Sequence, residues 1–235
     1  MSNETGMTRP NGLVVAIDGP SGAGKSTITK LLAERLGYLH IDTGAMFRAI
    51  ALAVKRAGIP LDDEEGLARI SRGVAISFER TNGCCRVLAN GEDVTAAIRT
   101  PEISQLTSLV SSKKVVRDLL LILQRELGQD GGVILEGRDI GTVVFPDAEV
   151  KFFLSASAEE RGRRRFLELQ AKGESITLAE TIAAVVQRDE QDAQREHAPL
   201  CKADDAIAID STGLSIEEVL ARMELIVRDR LKVRG

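Results

Sequence analysis

Residues 13 to 26 read LVVAIDGPSGAGKS, an apolar run followed by a glycine-rich loop that ends in Lys25 and Ser26. The apolar run predicts a buried strand, and the apolar residues at 27–36 recur at helical spacing until Gly37. A strand, a glycine loop and a helix in this order form the context of a Walker A motif. A turn that only joined strand to helix would explain the glycines but not the Lys-Ser pair. We therefore predict that the chain binds a nucleoside triphosphate.

Each residue type in this loop suits phosphate chemistry. Glycines let the backbone curl so that its N–H groups can face phosphate oxygens at the positive end of the following helix. Lys25 is expected to reach the terminal phosphates and to be catalytic. The Ser26 hydroxyl suits Mg²⁺, which takes few protein ligands beside phosphates. The predicted nucleotide-binding residues are Gly19, Pro20, Ser21, Gly22, Ala23, Gly24, Lys25, Ser26 and Thr27.

The composition is that of a globular protein with an ordinary core. The chain has 235 residues, 43% of them hydrophobic, and a net charge of -4, which gives no electrostatic case for binding nucleic acid or a membrane surface. Three cysteines and two histidines support neither a disulfide framework nor a zinc site, so a reducing cytoplasm is expected. We interpret the adjacent Cys84 and Cys85 as packing residues of a hairpin. Residues 1–12 are expected to be a flexible tail before a single domain at 13–235.

Strand and helix patterns alternate along most of the chain, which predicts an α/β fold with a parallel sheet covered on both faces. Short strands at 74–78 and 84–88, with turns at Thr81-Asn82-Gly83 and Asn90-Gly91, predict a small antiparallel meander within it. The other predicted strands are 13–17, 133–136, 150–154 and 206–209, and the predicted helices are 27–36, 45–57, 101–111, 113–127, 158–171, 178–197 and 216–231.

A phosphate loop alone does not separate a kinase from a GTPase switch, a transport ATPase or a regulator. The chain has no Asn-Lys-x-Asp guanine-reading segment, and its many arginines outside the loop suggest a second phosphate in the site. A solvated surface remains the alternative for any one of them. Arg188, Asp192 and Arg195 share one face of the predicted helix 178–197, which could bind an anion and a sugar. Residues 136–141, EGRDIG, follow a predicted strand at the sheet edge where ligands bind.

Five segments together closely resemble bacterial cytidylate kinases. They are DGPSGAGKS at 18–26, DTGAMFR at 42–48, NGEDV at 90–94, EGRDIGTVVFPDA at 136–148, and the stretch from Arg188 to Arg195 with APL at 198–200. The resemblance runs from about residue 13 to the C-terminal helix. It implies a three-layer P-loop nucleoside-monophosphate kinase fold with a five-stranded parallel core sheet, a small antiparallel β insert and a helical lid. The implied core is 13–44, 113–159 and 198–235, the monophosphate-binding subdomain with its insert 45–112, and the lid 160–197.

The resemblance also implies an activity, in which ATP with Mg²⁺ phosphorylates CMP and dCMP by in-line transfer in a cytoplasmic monomer. The implied catalytic residues are Lys25, Arg138, Arg188 and Arg195. The implied substrate contacts are Thr43, Arg48, Arg138 and Arg195 for phosphate, Ser108, Arg117 and Asp139 for cytosine, and Arg188 and Asp192 for ribose. Phe47 stands where many relatives have tyrosine, and we interpret it as a core residue of its helix.

The resemblance leaves several points open. The acceptor could be another nucleoside monophosphate or another small molecule, or the chain could be a nonenzymatic nucleotide sensor. Cytosine presents an exocyclic amino donor where uracil presents a carbonyl, so Asp139 is the candidate reader of the base. The sequence does not rank Arg161, Arg163, Arg164 and Arg165, and it assigns no carboxylate to Mg²⁺.

Overall fold

The computed structural model describes residues 9–81, 84–171 and 173–234, and these residues form two compact units. The first comprises residues 9–40, 127–194 and 198–234, and the second comprises 41–126 and 195–197. The strands are β1 Val14–Asp18, β2 Leu39–Asp42, β3 Ile76–Thr81, β4 Cys84–Ala89, β5 Glu92–Asp93, β6 Val133–Gly137, β7 Val150–Ser155 and β8 Ile207–Asp210. The α-helices are α1 Lys25–Leu36, α2 Thr43–Ala57, α3 Glu64–Gly73, α4 Pro101–Val110, α5 Lys114–Gly128, α6 Ala158–Ala171, α7 Leu178–Ala193 and α8 Ile216–Arg234. Ala97–Arg99 forms a 3₁₀ turn, and Ile140–Val144 forms a π-helical segment.

A five-stranded parallel sheet in the order β2-β6-β1-β7-β8 organises the first unit. Its central strand β1 pairs in parallel with β6 and β7, and all its residues are buried. Leu13, Val15 and Ile17 pack into one cluster with Leu32 of α1 and Met223 of α8. The intervening residues of β1 are also buried, as expected for a parallel strand covered on both faces. The predicted α/β fold with its five-stranded core is confirmed.

The predicted antiparallel meander lies in the second unit as a three-stranded sheet in the order β3-β4-β5. Asn90 and Gly91 connect β4 to β5 with φ of 52° and 79°, the left-handed backbone that a tight two-residue hairpin turn requires. Asn82 and Gly83 of the other predicted turn, and the side chains of Cys84 and Cys85, lie outside the described part. The proposed hairpin packing of the cysteines therefore stays a prediction.

Helix α3 was not predicted, although its start carries a recognisable signal. The Asp63 carboxylate accepts a hydrogen bond from the Gly66 N–H at 2.8 Å, and two glutamates occupy the first turn. Leu67 and Ala68 are buried on its inner face. The helix has only ten residues, and Leu67 and Ile70 are its only large apolar side chains, so the segment was too short to be predicted from its pattern.

Helix α7 is shorter than predicted, because it ends at Ala193 rather than at His197. Ala198 has a φ of 50° and precedes a proline, so the chain turns away, and the Leu200 N–H caps the Asp192 carbonyl at 2.8 Å. Arg195 therefore lies outside the helix. The prediction that it shares a helical face with Arg188 and Asp192 is wrong.

The predicted flexible tail is wrong for residues 9–12. The Arg9 guanidinium pairs with Asp147 at 2.6 Å and Glu149 at 2.7 Å, and it lies 5.7 Å from the centroid of the Phe145 ring. The Asn11 N–H donates to the Asp130 carbonyl at 2.9 Å. Residues 1–8 of that predicted tail are outside the described part.

None of the helices described is both long enough and apolar enough to cross a membrane.

Candidate active site

The glycine loop joins the carboxyl end of β1 to the start of α1. Gly19, Gly22 and Gly24 all have positive φ, at 147°, 77° and 92°. A Cβ added at Gly19 would lie 1.9 Å from the Leu154 carbonyl oxygen, so this position requires glycine on steric grounds as well. Gly24 precedes α1 and offers no side chain to cap the N–H groups of the first turn. An exposed helix start of this kind is suited to a phosphate anion.

The Lys25 ammonium is buried within the loop. Its Nζ donates hydrogen bonds to the carbonyls of Gly19 and Pro20, both at 2.7 Å. Burial holds the pKa of Lys25 well below its ordinary value, and the nearby positive charges of Arg138 and Arg188 lower it further, against the negative charges of Glu136 and Asp18. Three of the predicted catalytic cations thus lie close enough together for their charges to interact. Such a concentration of positive charge suits the terminal phosphates of a nucleotide.

Glu136, at the end of β6, accepts hydrogen bonds on both carboxylate oxygens. Ser26 Oγ donates to Oε2 at 2.8 Å, and His40 Nε2 lies 2.9 Å from Oε1. Burial by itself raises the pKa of Glu136, but the His40 bond, the charges of His40 and Lys25 and the Ser26 bond together hold it below its ordinary value. Glu136 is therefore an ionised carboxylate beside the predicted Mg²⁺ ligand Ser26. Glu136 lies in the predicted segment 136–141, but neither its contact with Ser26 nor the part played by His40 was predicted from the sequence.

Asp18, the last residue of β1, joins the phosphate loop to the segment that follows β6. Its carboxylate accepts the backbone N–H groups of Ile140 at 2.8 Å and Gly141 at 2.7 Å. Burial raises the pKa of Asp18 to about 6, although the two backbone hydrogen bonds and Lys25 oppose the rise; Asp139 adds to it. This contact holds the turn that carries Arg138 and Asp139 next to the loop. No role was predicted for Asp18 from the sequence.

Arg138 and Asp192 form an ion pair, with Nε to Oδ2 at 2.8 Å, and Asp192 is only 1% exposed. Arg138 also donates to the Gly137 carbonyl at 3.2 Å. Arg188 lies on α7 one turn before Asp192 and is half-buried. The structure therefore brings three of the predicted substrate-contact residues together in the first unit.

The four arginines of α6 differ in environment, which the sequence could not show. Arg161 is buried, donates to the Ser21 carbonyl of the loop at 3.2 Å and pairs with Asp189 at 2.5 Å. Arg164 donates to the carbonyl of Ser211 at 3.0 Å and to its hydroxyl at 3.1 Å. Arg164 also donates to the Ala23 carbonyl at 3.4 Å, so both arginines contact the backbone of the phosphate loop. Arg163 and Arg165 are more exposed and pair with carboxylates of α6 itself, Glu160 and Glu168.

The second unit holds most of the predicted acceptor contacts. Arg48 donates to Ser104 Oγ at 2.7 Å and to the Ile98 carbonyl at 3.2 Å. Arg117 donates to the Ser111 carbonyl at 3.1 Å. In the same unit, Thr43 is buried in the first turn of α2, Ser108 is half-buried on α4, and Arg195 belongs to the segment 195–197.

The interpretation of Phe47 as a core residue is wrong. Phe47 is only half-buried, and the Arg117 guanidinium lies 5.4 Å from the centroid of its ring. A cation stacked on an aromatic face is itself a stabilising contact. The ring therefore supports a predicted cytosine contact instead of filling the core.

Comparison with known proteins agrees with this geometry. The family model described as cytidylate kinase matches residues 15–229. The cytidylate kinase of Geobacter sulfurreducens is 74% identical over 93% of this chain and 94% of its own length, and that of Citrifermentans bemidjiense is 69% identical over 95% and 96%. A solved structure of an uncharacterized protein from Eubacterium ventriosum, only 11% identical, covers 92% of this chain and 98% of its own with a TM-score of 0.52, a likeness of fold. From the family match and the two relatives it follows that this chain belongs to the cytidylate kinase family.

Proposed function

We propose that this protein transfers the γ-phosphoryl group of ATP to CMP and dCMP, forming CDP and dCDP with release of ADP. Family membership supports the substrate class. The observation that carries the reaction type is the cluster of Lys25, Arg138 and Arg188 at the glycine loop, balanced by Glu136 and Asp18. Phosphoryl transfer depends on positioning and on stabilising charge, and this cluster supplies both.

The acceptor needs no protein base. The second pKa of a phosphate monoester is near 6, so at neutral pH the CMP phosphate already presents an anionic oxygen to the γ-phosphorus. Lys25 would leave the carbonyls of Gly19 and Pro20 and donate to the phosphate oxygens of ATP. Arg138 and Arg188 would stabilise the charge on the transferred group. The chain then acts by alignment and by exclusion of water.

Ser26 and Glu136 fit the needs of Mg²⁺. The Ser26 hydroxyl donates its hydrogen bond to Glu136 and keeps its oxygen lone pairs for a cation, while the buried, ionised Glu136 supplies negative charge nearby. No cluster of three His, Cys, Asp or Glu side chains suited to a metal occurs among the described residues. When bound, Mg²⁺ would neutralise charge on the ATP phosphates.

The remaining roles rest on the motif match. We assign the acceptor phosphate to Thr43, Arg48, Arg138 and Arg195, the cytosine to Ser108, Arg117 and Asp139, and the ribose to Arg188 and Asp192. Residues 45–112 would bind the monophosphate, and residues 160–197 would form the lid over the core. The enzyme would work in the cytoplasm as a monomer with nucleotide partners only. Sedimentation velocity with and without added nucleic acid would test the monomeric state and the absence of nucleic-acid binding.

A coupled assay of ADP formation with CMP, dCMP, UMP, AMP and GMP tests the proposal. We expect turnover with CMP and dCMP and at most weak turnover with the other acceptors. A stronger response to another monophosphate would reassign the substrate. If no acceptor gave turnover while ATP still bound, the protein would instead be a nucleotide sensor.

A further inference from the structure

His40, the second residue of β2, contacts the carboxylate that orients the predicted Mg²⁺ ligand. We propose that His40 is a positioning residue, whose hydrogen bond to Glu136 aligns the Ser26 hydroxyl toward the metal-bound nucleotide. This inference rests on the Mg²⁺-nucleotide site of the proposed function. It concerns the donor side of the reaction and is independent of the acceptor.

The geometry of Glu136 makes the relay specific. Its backbone belongs to β6 and pairs with Ile17 of the central strand, so the start of the side chain is fixed. Its carboxylate is 4% exposed, with His40 Nε2 at 2.9 Å from Oε1 and Ser26 Oγ at 2.8 Å from Oε2. A donor held on Oε1 sets the rotation of the carboxylate, and this rotation places Oε2 against Ser26. Removal of His40 would let the carboxylate turn away from the hydroxyl.

The orientation of the Ser26 hydroxyl has a direct consequence for metal binding. A hydroxyl has one proton and two lone pairs. An ionised carboxylate can only accept, so the proton of Ser26 is committed to Glu136 and the lone pairs remain for a cation. If Glu136 turned away, the hydroxyl could present its proton toward the cation instead.

The two ring nitrogens of His40 differ in their hydrogen bonding. The ring is 14% exposed, and its Nδ1 is buried with no hydrogen-bond partner within the described ranges. Because the carboxylate only accepts, Nε2 must carry the proton that joins the two groups. A buried nitrogen without a partner is costly, so an apolar side chain would fill this space more favourably. The bond to Glu136 is therefore the contact that a histidine supplies here and an apolar residue does not.

Three variants separate this role from simple packing. In His40→Gln the amide nitrogen stands about as far from Cα as Nε2 does and can donate to Glu136. In His40→Asn the amide nitrogen reaches only the position of Nδ1. His40→Phe keeps the ring and removes both nitrogens. The Gln and Asn variants are a matched pair, because they carry the same amide group and differ in its reach.

The readout is the gain in ADP affinity produced by Mn²⁺, measured by calorimetry as the ratio of the ADP Kd without metal to that with it. Loss of an outer-shell partner typically costs about 10- to 100-fold in metal affinity. We expect this ratio to fall about tenfold in His40→Phe and His40→Asn and to stay within about threefold of wild type in His40→Gln. The affinity for ADP without metal should stay the same in all three.

Two results would overturn the proposal, namely an unchanged ratio in His40→Asn, or equal losses in His40→Gln and His40→Asn. If His40→Phe fails to fold by circular dichroism, the Gln and Asn pair decides alone. Since no monophosphate is present in this experiment, its outcome is separate from the acceptor panel. Failure of CMP as a substrate would leave the His40 result standing, and the reverse also holds.

Discussion

Replacing Asp18 by asparagine should change how the stability of the protein depends on pH. The Asp18 carboxylate is 4% exposed and accepts two backbone hydrogen bonds, and burial raises its pKa from 3.8 to about 6. The folded state thus binds this proton more tightly than the unfolded state. The free energy of unfolding therefore falls as pH rises from about 4 through about 6, and it levels off above that.

The size of the effect follows from the two pKa values. A step from 3.8 to about 6 corresponds to about 3 kcal/mol, and roughly half of it, about 1 to 2 kcal/mol, develops between pH 5 and pH 8. The amide introduced by Asp18→Asn would not titrate. It would also turn its amino group toward one of the two backbone N–H groups, a cost of about 1–3 kcal/mol that is constant with pH. The unfolding free energy of the Asp18→Asn variant minus that of wild type should therefore rise by about 1 to 2 kcal/mol from pH 5 to pH 8.

Urea unfolding at pH 5, 6, 7 and 8 measures this difference. Asp210→Asn is the matched control, because hydrogen bonds from Thr212 lower the pKa of Asp210 below 3.8 and its contribution is already complete at pH 5. The difference for this control should stay flat across the range. If the unfolding free energy of Asp18→Asn minus that of wild type stayed flat or fell from pH 5 to pH 8, burial would not raise the pKa of Asp18.

Three other predictions concern the loop, the base and α6. Lys25→Met should lower ADP formation at least about 100-fold while leaving the fold intact, because the positive charge that Lys25 brings to the terminal phosphates is lost. Unchanged turnover would remove the case for a phosphate-binding lysine. Asp139→Asn should narrow the ratio of kcat/KM for CMP over UMP by about tenfold, since an amide can donate as well as accept, and a constant ratio would exclude Asp139 as the base reader. Arg161→Ala should lower the unfolding free energy in urea by about 3 kcal/mol by leaving Asp189 without its buried partner. The exposed control Arg163→Ala should change it by no more than about 0.5 kcal/mol, and equal effects would contradict the support role of Arg161.

Features written in short stretches of sequence could be predicted. The glycine loop is an example, since the apolar strand, the glycines and Lys25 with Ser26 all lie within 13–26. Most helices and strands were also predicted to within about two residues, because an apolar period of 3.6 or of two records which face is buried. Helix α3 was missed because it has only ten residues, of which Leu67 and Ile70 are the only large apolar ones.

The end of α7 shows how local patterns can mislead. The spacing of Arg188, Asp192 and Arg195 suits a helix, but helix termini are decided by capping and by the chain that follows. Here the Leu200 N–H donates a hydrogen bond to the Asp192 carbonyl, and Arg195 belongs to the second unit. Phe47 misled in the same way, because an apolar residue on a helix need not face the core and here stacks with Arg117.

The amino-acid sequence alone predicts that this chain binds nucleotide phosphates, that it forms a parallel α/β core with an antiparallel insert, and that its motifs match one kinase family. Which side chains meet depends on the tertiary structure. Ser26 and Glu136 are separated by 110 residues, His40 and Glu136 by 96, and Asp18 and Ile140 by 122. Local periodicity reports which face of a segment is buried, whereas these contacts form because β6 lies between β2 and β1 in the sheet and pairs in parallel with β1.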